Sequence, residues 1–369
     1  MADIDNANGR NNKPQSQIYA LRQQIDDINM QLLKLLNQRA EIAAEIGRIK
    51  SGMATSQYDP EREGDMLEVL QQANQGPFSN ETIGALFKEI FSATLAMNSE
   101  KARSALLVER SDEHQRTVIT LPDGTKIGDG SFQIISGPCA VESFEQLDEV
   151  AAALAKNGMS IMRGMAYKPR TSPYHFQGLG EEGLKIGRRV ANKHGLMMVS
   201  EILDMSQIPL MSQYVDLFWV GARNMQNSFL LRALGNVRQP VILKRSFGAT
   251  IEELLYAAEY IVSSGNPNVI LMERGIRTFE NWTRNTLDIS AVPLLKQETH
   301  LPVIVDISHS AGRRDIANTL AKVAKASGAD GLMVEVHPNP AVAMSDAKQQ
   351  LSIPEFEDML AEIDMLPQV

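Results

Sequence analysis

The chain holds a single cysteine, no apolar run approaching a membrane span, and no surplus of positive charge. Each lack closes off a class of protein. With Cys139 alone, an intrachain disulfide is excluded; a lone thiol is a small buried hydrophobe, a ligand or a nucleophile. A spanning helix needs roughly 18 or more apolar residues in a row, and none is found, so no membrane partner is expected. The 36 Lys and Arg against 45 Asp and Glu leave a net charge of −9, which argues against a nucleic-acid partner. The N-terminal MADIDNANGRNNKPQSQ lacks the apolar core of a signal peptide, so a cytoplasmic protein is expected. A glycine-rich dinucleotide fingerprint is also missing. After the first strand pattern stands SGPCAVES, whose Pro138 suits a turn better than a phosphate-cradling helix start.

What is present falls into three parts. Residues 1–16 are polar and are expected to be disordered. From Gln17 to Lys50, Ile18, Leu21, Ile25, Ile28, Leu32, Leu35, Ile42, Ile46 and Ile49 recur mostly at three- and four-residue steps, which predicts one long amphipathic helix. A second helix is expected from Pro60, capped by Asp59, to about Gln75, and a third from Glu81 to about Asn98. Residues 17–98 thus form an all-helical unit. Its first helix is too long to bury its stripe against two short partners, so dimerisation through it is expected. Residues 99–130 read as a linker, with TVITLPDGTKIGDG as a short hairpin closed by Asp-Gly.

From residue 131 to 369 the rhythm is strand, loop, helix. Eight apolar, β-branched stretches (FQIIS, SIMRG, MMVSEI, LFWVG, VILKR, VILMER, PVIVDIS, GLMVEVH) alternate with helical patterns. Eight such units predict an α/β fold, a (β/α)8 barrel, with an open doubly wound sheet as the rival.

The C-terminal end of each strand carries a polar residue. In order they are Cys139; Arg163 with Lys168 and Arg170 in its loop; Glu201; Arg223; Lys244 and Arg245; Glu273 and Arg274; His309; and Glu335 and His337, with Asp346 beyond. A barrel brings these ends to one face, where loops build a site. Strand ends are often charged merely because they reach solvent, but that does not explain repeated cations in an acidic protein. Cations focused there fit small ligands rich in phosphate and carboxylate. Strands one, seven and eight are neighbours once a barrel closes, so Cys139, His309, Glu335 and Asp346 can meet. Thiolate, imidazole and carboxylates together suit a first-row divalent ion: Mn2+ first, with Fe2+, Co2+ or Zn2+ as alternatives.

The ordered motifs SGPCAVES, RGMAYKPRTSP, GARNMQN, LKRSFGAT, ERGIRT, DISHSAGRRD and MVEVHPNP resemble the type I-beta 3-deoxy-D-arabino-heptulosonate 7-phosphate (DAHP) synthases over about residues 130–355. The sister octulosonate 8-phosphate synthases have Ala-Asn-Arg where this chain has KPRTS. The resemblance implies a condensation of phosphoenolpyruvate with erythrose 4-phosphate, the first step of the shikimate pathway. It implies that Arg163, Lys168 and Lys244 face the carboxylate of phosphoenolpyruvate. Arg223, Lys244 and Arg274 would hold its phosphate, and Arg170, Thr171 and Ser172 the sugar phosphate. The metal would sit on Cys139, His309, Glu335 and Asp346.

The stretch ALRQQIDDINMQLLKLLNQRAEIAAEIGRIK with YDPEREGDML resembles the all-helical chorismate mutases. That likeness implies a chorismate site at Arg22, Arg39, Lys50, Asp59, Arg62, Glu63, Thr94 and Asn98, with Arg22 reaching the other protomer. Asn98 stands where the family often has Gln or Glu, so its amide is one methylene shorter. A homodimer through the helical unit and a homotetramer through the barrel are expected, with feedback by chorismate or prephenate. Two alternatives are a helical module that only regulates and dimerises, and a barrel that makes a different sugar acid from phosphoenolpyruvate.

Overall fold

The structure, a computed structural model, describes residues 12–52, 60–103, 106–112, 114–170, 172 and 174–365. The chain divides into two compact units, Met1–Ala105 and Leu106–Val369.

The first unit is helical. Helix α1 spans Asn12–Gly52, α2 Pro60–Ala73 and α3 Asn80–Arg103. Two expectations need correction. Residues 12–16 are helical, not disordered, because Pro14 falls in the first turn, where no intrahelical N–H is needed. Helix α3 runs past Asn98 to Arg103, so the first residues of the expected linker are helical. The α1 stripe is exposed, including Leu21, Ile25, Ile28, Leu32 and Leu35. At 41 residues α1 is about 60 Å long at ~1.5 Å per residue, far beyond the reach of α2 or α3.

The second unit is a closed barrel. A two-stranded hairpin, β1 (Ile119–Thr120) and β2 (Lys126–Ile127), precedes eight parallel strands. These are β3 (Gln133–Gly137), β4 (Ile161–Arg163), β5 (Met197–Ile202), β6 (Leu217–Val220), β7 (Val241–Lys244), β8 (Val269–Glu273), β9 (Val303–Asp306) and β10 (Gly331–Glu335). Each pairs with the next, and β10 pairs with both β9 and β3, so the first, seventh and eighth barrel strands are adjacent as expected.

Residues 106–130 are no free linker. Ile119, Leu121 and Ile127 are buried against the interior residues Ile135, Ile161, Leu217, Ile242 and Ile304, so the hairpin stoppers the barrel at the end where Pro302 leads into β9. The outward residues of the strands join the helices in a second, larger core.

Candidate active site

Side chains alternate faces along a strand, and this period builds the site. Ile135, Ile161, Val199, Leu217, Ile242, Ile304 and Met333 form the apolar interior. Two residues further along the same strands the same face carries Gly137, Arg163, Glu201, Trp219, Lys244, Asp306 and Glu335. Arg163, Asp306 and Glu335 are fully buried, and Glu201 and Lys244 nearly so. Glu201, Trp219 and Lys244 of this layer line a cavity of about 330 Å3 at the C-terminal ends of the strands, and the other members lie beneath it as its floor. Its wall includes Lys168, Arg170, Arg223, Lys244, Arg274, Arg277 and Arg284, with His175, His309, Glu201 and Asp346. Several of the cations have a carboxylate beside them: Lys168 and Arg284 have Asp346, and Lys244 has Asp306. Burial lowers the pKa of Lys244, despite Asp306, and that of Arg274. Burial also raises the pKa of Glu201, favouring its protonated form in spite of Lys244 and Lys168 nearby.

At one side of the floor Cys139, His309 and Glu335 come together, with one ligand atom of each within 4.8 Å of the others. Asp346, the fourth expected ligand, stands just outside this trio, with Oδ2 3.1 Å from Cys139 Sγ. It adopts a left-handed backbone, the one such non-glycine among the described residues. Lys168 Nζ is 2.7 Å from the same sulfur and 3.4 Å from Asp346 Oδ2, and Arg284 Nη1 is 3.3 Å from Asp346 Oδ1. Burial first, then Glu335, drives the Cys139 thiol well above its ordinary range. Asp346 is driven down: burial opposes this, and Lys168 and the thiol outweigh it. The residues fit a divalent ion. Glu335 Oε1 faces Arg163 Nη2 at 3.0 Å and His309 Nε2 at 3.5 Å, yet no aligned hydrogen bond satisfies this buried oxygen. Gly137 allows the Arg163 backbone of β4 to pass close to the end of β3, since a Cβ at its positive φ would collide with the Arg163 carbonyl.

Not every strand-end charge belongs to the site. Arg245 and Glu273 point outward by the same alternation. They pair with each other at 2.9 Å, and Arg245 also reaches Asp288 at 2.8 Å. His337 is buried against Glu142 at 3.3 Å. Arg163 lies beneath the cavity rather than on its wall, clamped by Glu335 and 4.5 Å from the Trp219 ring. Ser172 is half-buried and off the wall, its hydroxyl accepting from the Tyr174 N–H; Thr171 lies outside the described residues. Four participants were missed by sequence: Asp306, Trp219, Arg277 and Arg284.

In the helical unit Arg39 and Thr94 do meet, at 2.7 Å, with the guanidinium 5.0 Å over the Phe91 ring. Arg22 and Arg62 are exposed and Glu63 is half-buried. Asp59 and the side chains of Lys50 and Asn98 lie outside the described residues.

A family model, the DAHP synthetase I family, matches residues 113–367. The chain belongs to that family. The barrel is therefore a DAHP synthase. A second model, chorismate mutase type II, matches residues 21–99, so the helical unit is a chorismate mutase domain. A phospho-2-dehydro-3-deoxyheptonate aldolase of Thermotoga maritima is 53% identical over 70% of this chain and 77% of its own length. A 2-dehydro-3-deoxyphosphooctonate aldolase of Bradyrhizobium is 31% identical over 62% of this chain and 86% of its own. A crystal structure of the Thermotoga synthase superposes with a TM-score of 0.68 at 52% identity, covering 70% of this chain and 76% of that one. Among the described residues no helix is long and apolar enough to cross a membrane.

Proposed function

We propose that the barrel condenses phosphoenolpyruvate with erythrose 4-phosphate to give DAHP and inorganic phosphate in the cytoplasm. We further propose that it needs a divalent metal, and that the helical unit converts chorismate to prephenate and relays feedback by either. The carrying observation is the cavity itself: seven Lys and Arg side chains converge beside a buried thiol, imidazole and carboxylate.

Carbon three of phosphoenolpyruvate attacks the aldehyde carbon, water adds at carbon two, and phosphate departs. Arg223, Lys244 and Arg274 hold the phosphate of phosphoenolpyruvate. Lys168 and Lys244 face its carboxylate, with the Arg163 charge behind them. Arg170, with Thr171 and Ser172, takes the sugar phosphate. These cations neutralise charge as the two anionic substrates are brought into contact, and their burial strengthens each pairing. Cys139, His309, Glu335 and Asp346 hold the ion, which when bound supplies Lewis-acid polarisation of the aldehyde. The higher identity to the heptonate relative and the KPRTS motif favour a four-carbon aldose over the five-carbon one.

In the helical unit, Arg22, Arg39 and Arg62 grip a dicarboxylate compactly, Lys50 stabilises charge growing on its ether oxygen, and Asp59, Glu63, Thr94 and Asn98 complete the site. The exposed α1 stripe supports a homodimer there, and a homotetramer through the barrel is part of the same proposal. Phosphate release deciding between erythrose 4-phosphate and arabinose 5-phosphate, with and without chelator, tests the barrel reading. Equal turnover of both sugars, or full activity in chelator, overturns it.

A further inference from the structure

One carboxylate inside the barrel is shared between the two halves of the site. Asp306 ends β9, is fully buried, and faces the interior two residues beyond Ile304. Its Oδ1 accepts the backbone N–H of His309 at 2.9 Å, which caps the short helix Ile307–Ala311 and fixes where that imidazole starts. Its Oδ2 lies 2.8 Å from His309 Nδ1, off the line of an ideal hydrogen bond, and 2.6 Å from Lys244 Nζ. The other imidazole nitrogen, Nε2, is thereby turned toward Glu335. Lys244 is held at the same time: its ammonium sits 4.5 Å from the Trp219 ring and on the cavity wall. Nothing in the reaction requires this oxygen to touch a substrate; it contacts one group that would hold the metal, His309, and one that would hold the anionic substrate, Lys244.

We propose that Asp306 is a positioning residue that sets both subsites at once, fixing the His309 tautomer for a metal at Nε2 and the Lys244 ammonium for the anionic substrate. A carboxylate behind a ligating imidazole typically governs metal affinity by 10–100-fold. The shared oxygen adds a second consequence: one substitution disturbs metal and phosphoenolpyruvate without disturbing the aldose phosphate, whose Arg170 is elsewhere on the wall. This inference rests on the proposed function for its substrates, but its metal arm stands alone.

The test uses the full chain and Asp306→Asn, which keeps shape and removes charge. Titration with Co2+ alone, read by the thiolate charge-transfer absorption of Cys139, is expected to show affinity weakened about 10–100-fold. At saturating metal, KM for phosphoenolpyruvate is expected to rise several-fold while KM for the aldose phosphate stays put. Unchanged Co2+ affinity in the folded variant, or equal rises in both KM values, overturns the proposal. Should the variant not fold, the 15N imidazole spectrum of metal-free wild type decides, with His309 assigned by its own substitution. A proton on Nδ1 supports the assignment and one on Nε2 overturns it. A wild type that binds Co2+ but releases no phosphate would count against the proposed function, leaving Asp306 to be judged by the titration and the spectrum.

Discussion

Glu335→Gln isolates the electrostatics of the barrel floor. The change keeps size and removes one charge, leaving the Arg163 guanidinium buried without its carboxylate at 3.0 Å. Both side chains are fully buried. Losing one partner of such a pair costs about 3–5 kcal/mol. The cost falls at the low end, since Arg163 keeps weaker partners: the carbonyls of Pro138 and Cys139 at 3.3 and 3.4 Å, and the Trp219 ring. A loss of ~3 kcal/mol in a unit of this size lowers the melting midpoint by roughly 6 °C. The measurement is calorimetry on chelator-treated protein, so that lost metal does not count.

The pH dependence has a definite sign. Glu335 sits below its ordinary 4.5: burial pushes it up, and His309, Arg163 and Lys168 together outweigh burial. A depressed carboxylate pKa contributes stability that is whole above the unfolded value and fades as pH falls through the folded one. The gap between wild type and variant is therefore full at pH 7 and narrows below pH 4.5. A gap under about 2 °C at pH 7, worth roughly 1 kcal/mol, refutes the argument, as does a gap that widens in acid.

Chelator-treated protein should react with a thiol reagent at Cys139 only slowly at pH 8 and faster in alkali, because burial raises the thiol; a fast reaction at neutral pH contradicts this. Cys139→Ala should weaken Mn2+ binding and cut phosphate release, read by metal titration and turnover. Deleting residues 1–105 should abolish inhibition of the synthase by prephenate, and undiminished inhibition in the truncated protein removes the feedback role of the helical unit. In the full chain Arg39→Ala should bring the decay of chorismate absorbance to background while phosphate release persists.

The barrel was legible because strands buried on both faces are written in uninterrupted β-branched runs. MMVSEI is a strand from its first residue to its last, and each of the other seven patterns differs from its strand by three residues or fewer in all. The site was only half legible. Position at a strand end does not tell which face a residue takes: Arg245 and Glu273 stand beside Lys244 and Arg274 in the sequence, yet alternation sends neighbours to opposite sides. Counting by twos from the apolar interior separates them, and the same count brings in Asp306 and Trp219. Asp306 has a second, local role that hides this one. In DISH an aspartate three residues before a histidine reads as a helix cap, which it is, since it accepts the His309 N–H. That it also reaches Lys244, sixty-two positions earlier, depends on β7 and β9 lying two strands apart around a closed ring. Local sequence encodes the cap; closure encodes the shared carboxylate. Arg284 belongs to the second kind as well: its partner Asp346 follows β10, and only the folded rim brings the two within 3.3 Å. The chemistry of this site is thus carried by pairings between strands, while the sequence pattern speaks mainly for the strands themselves.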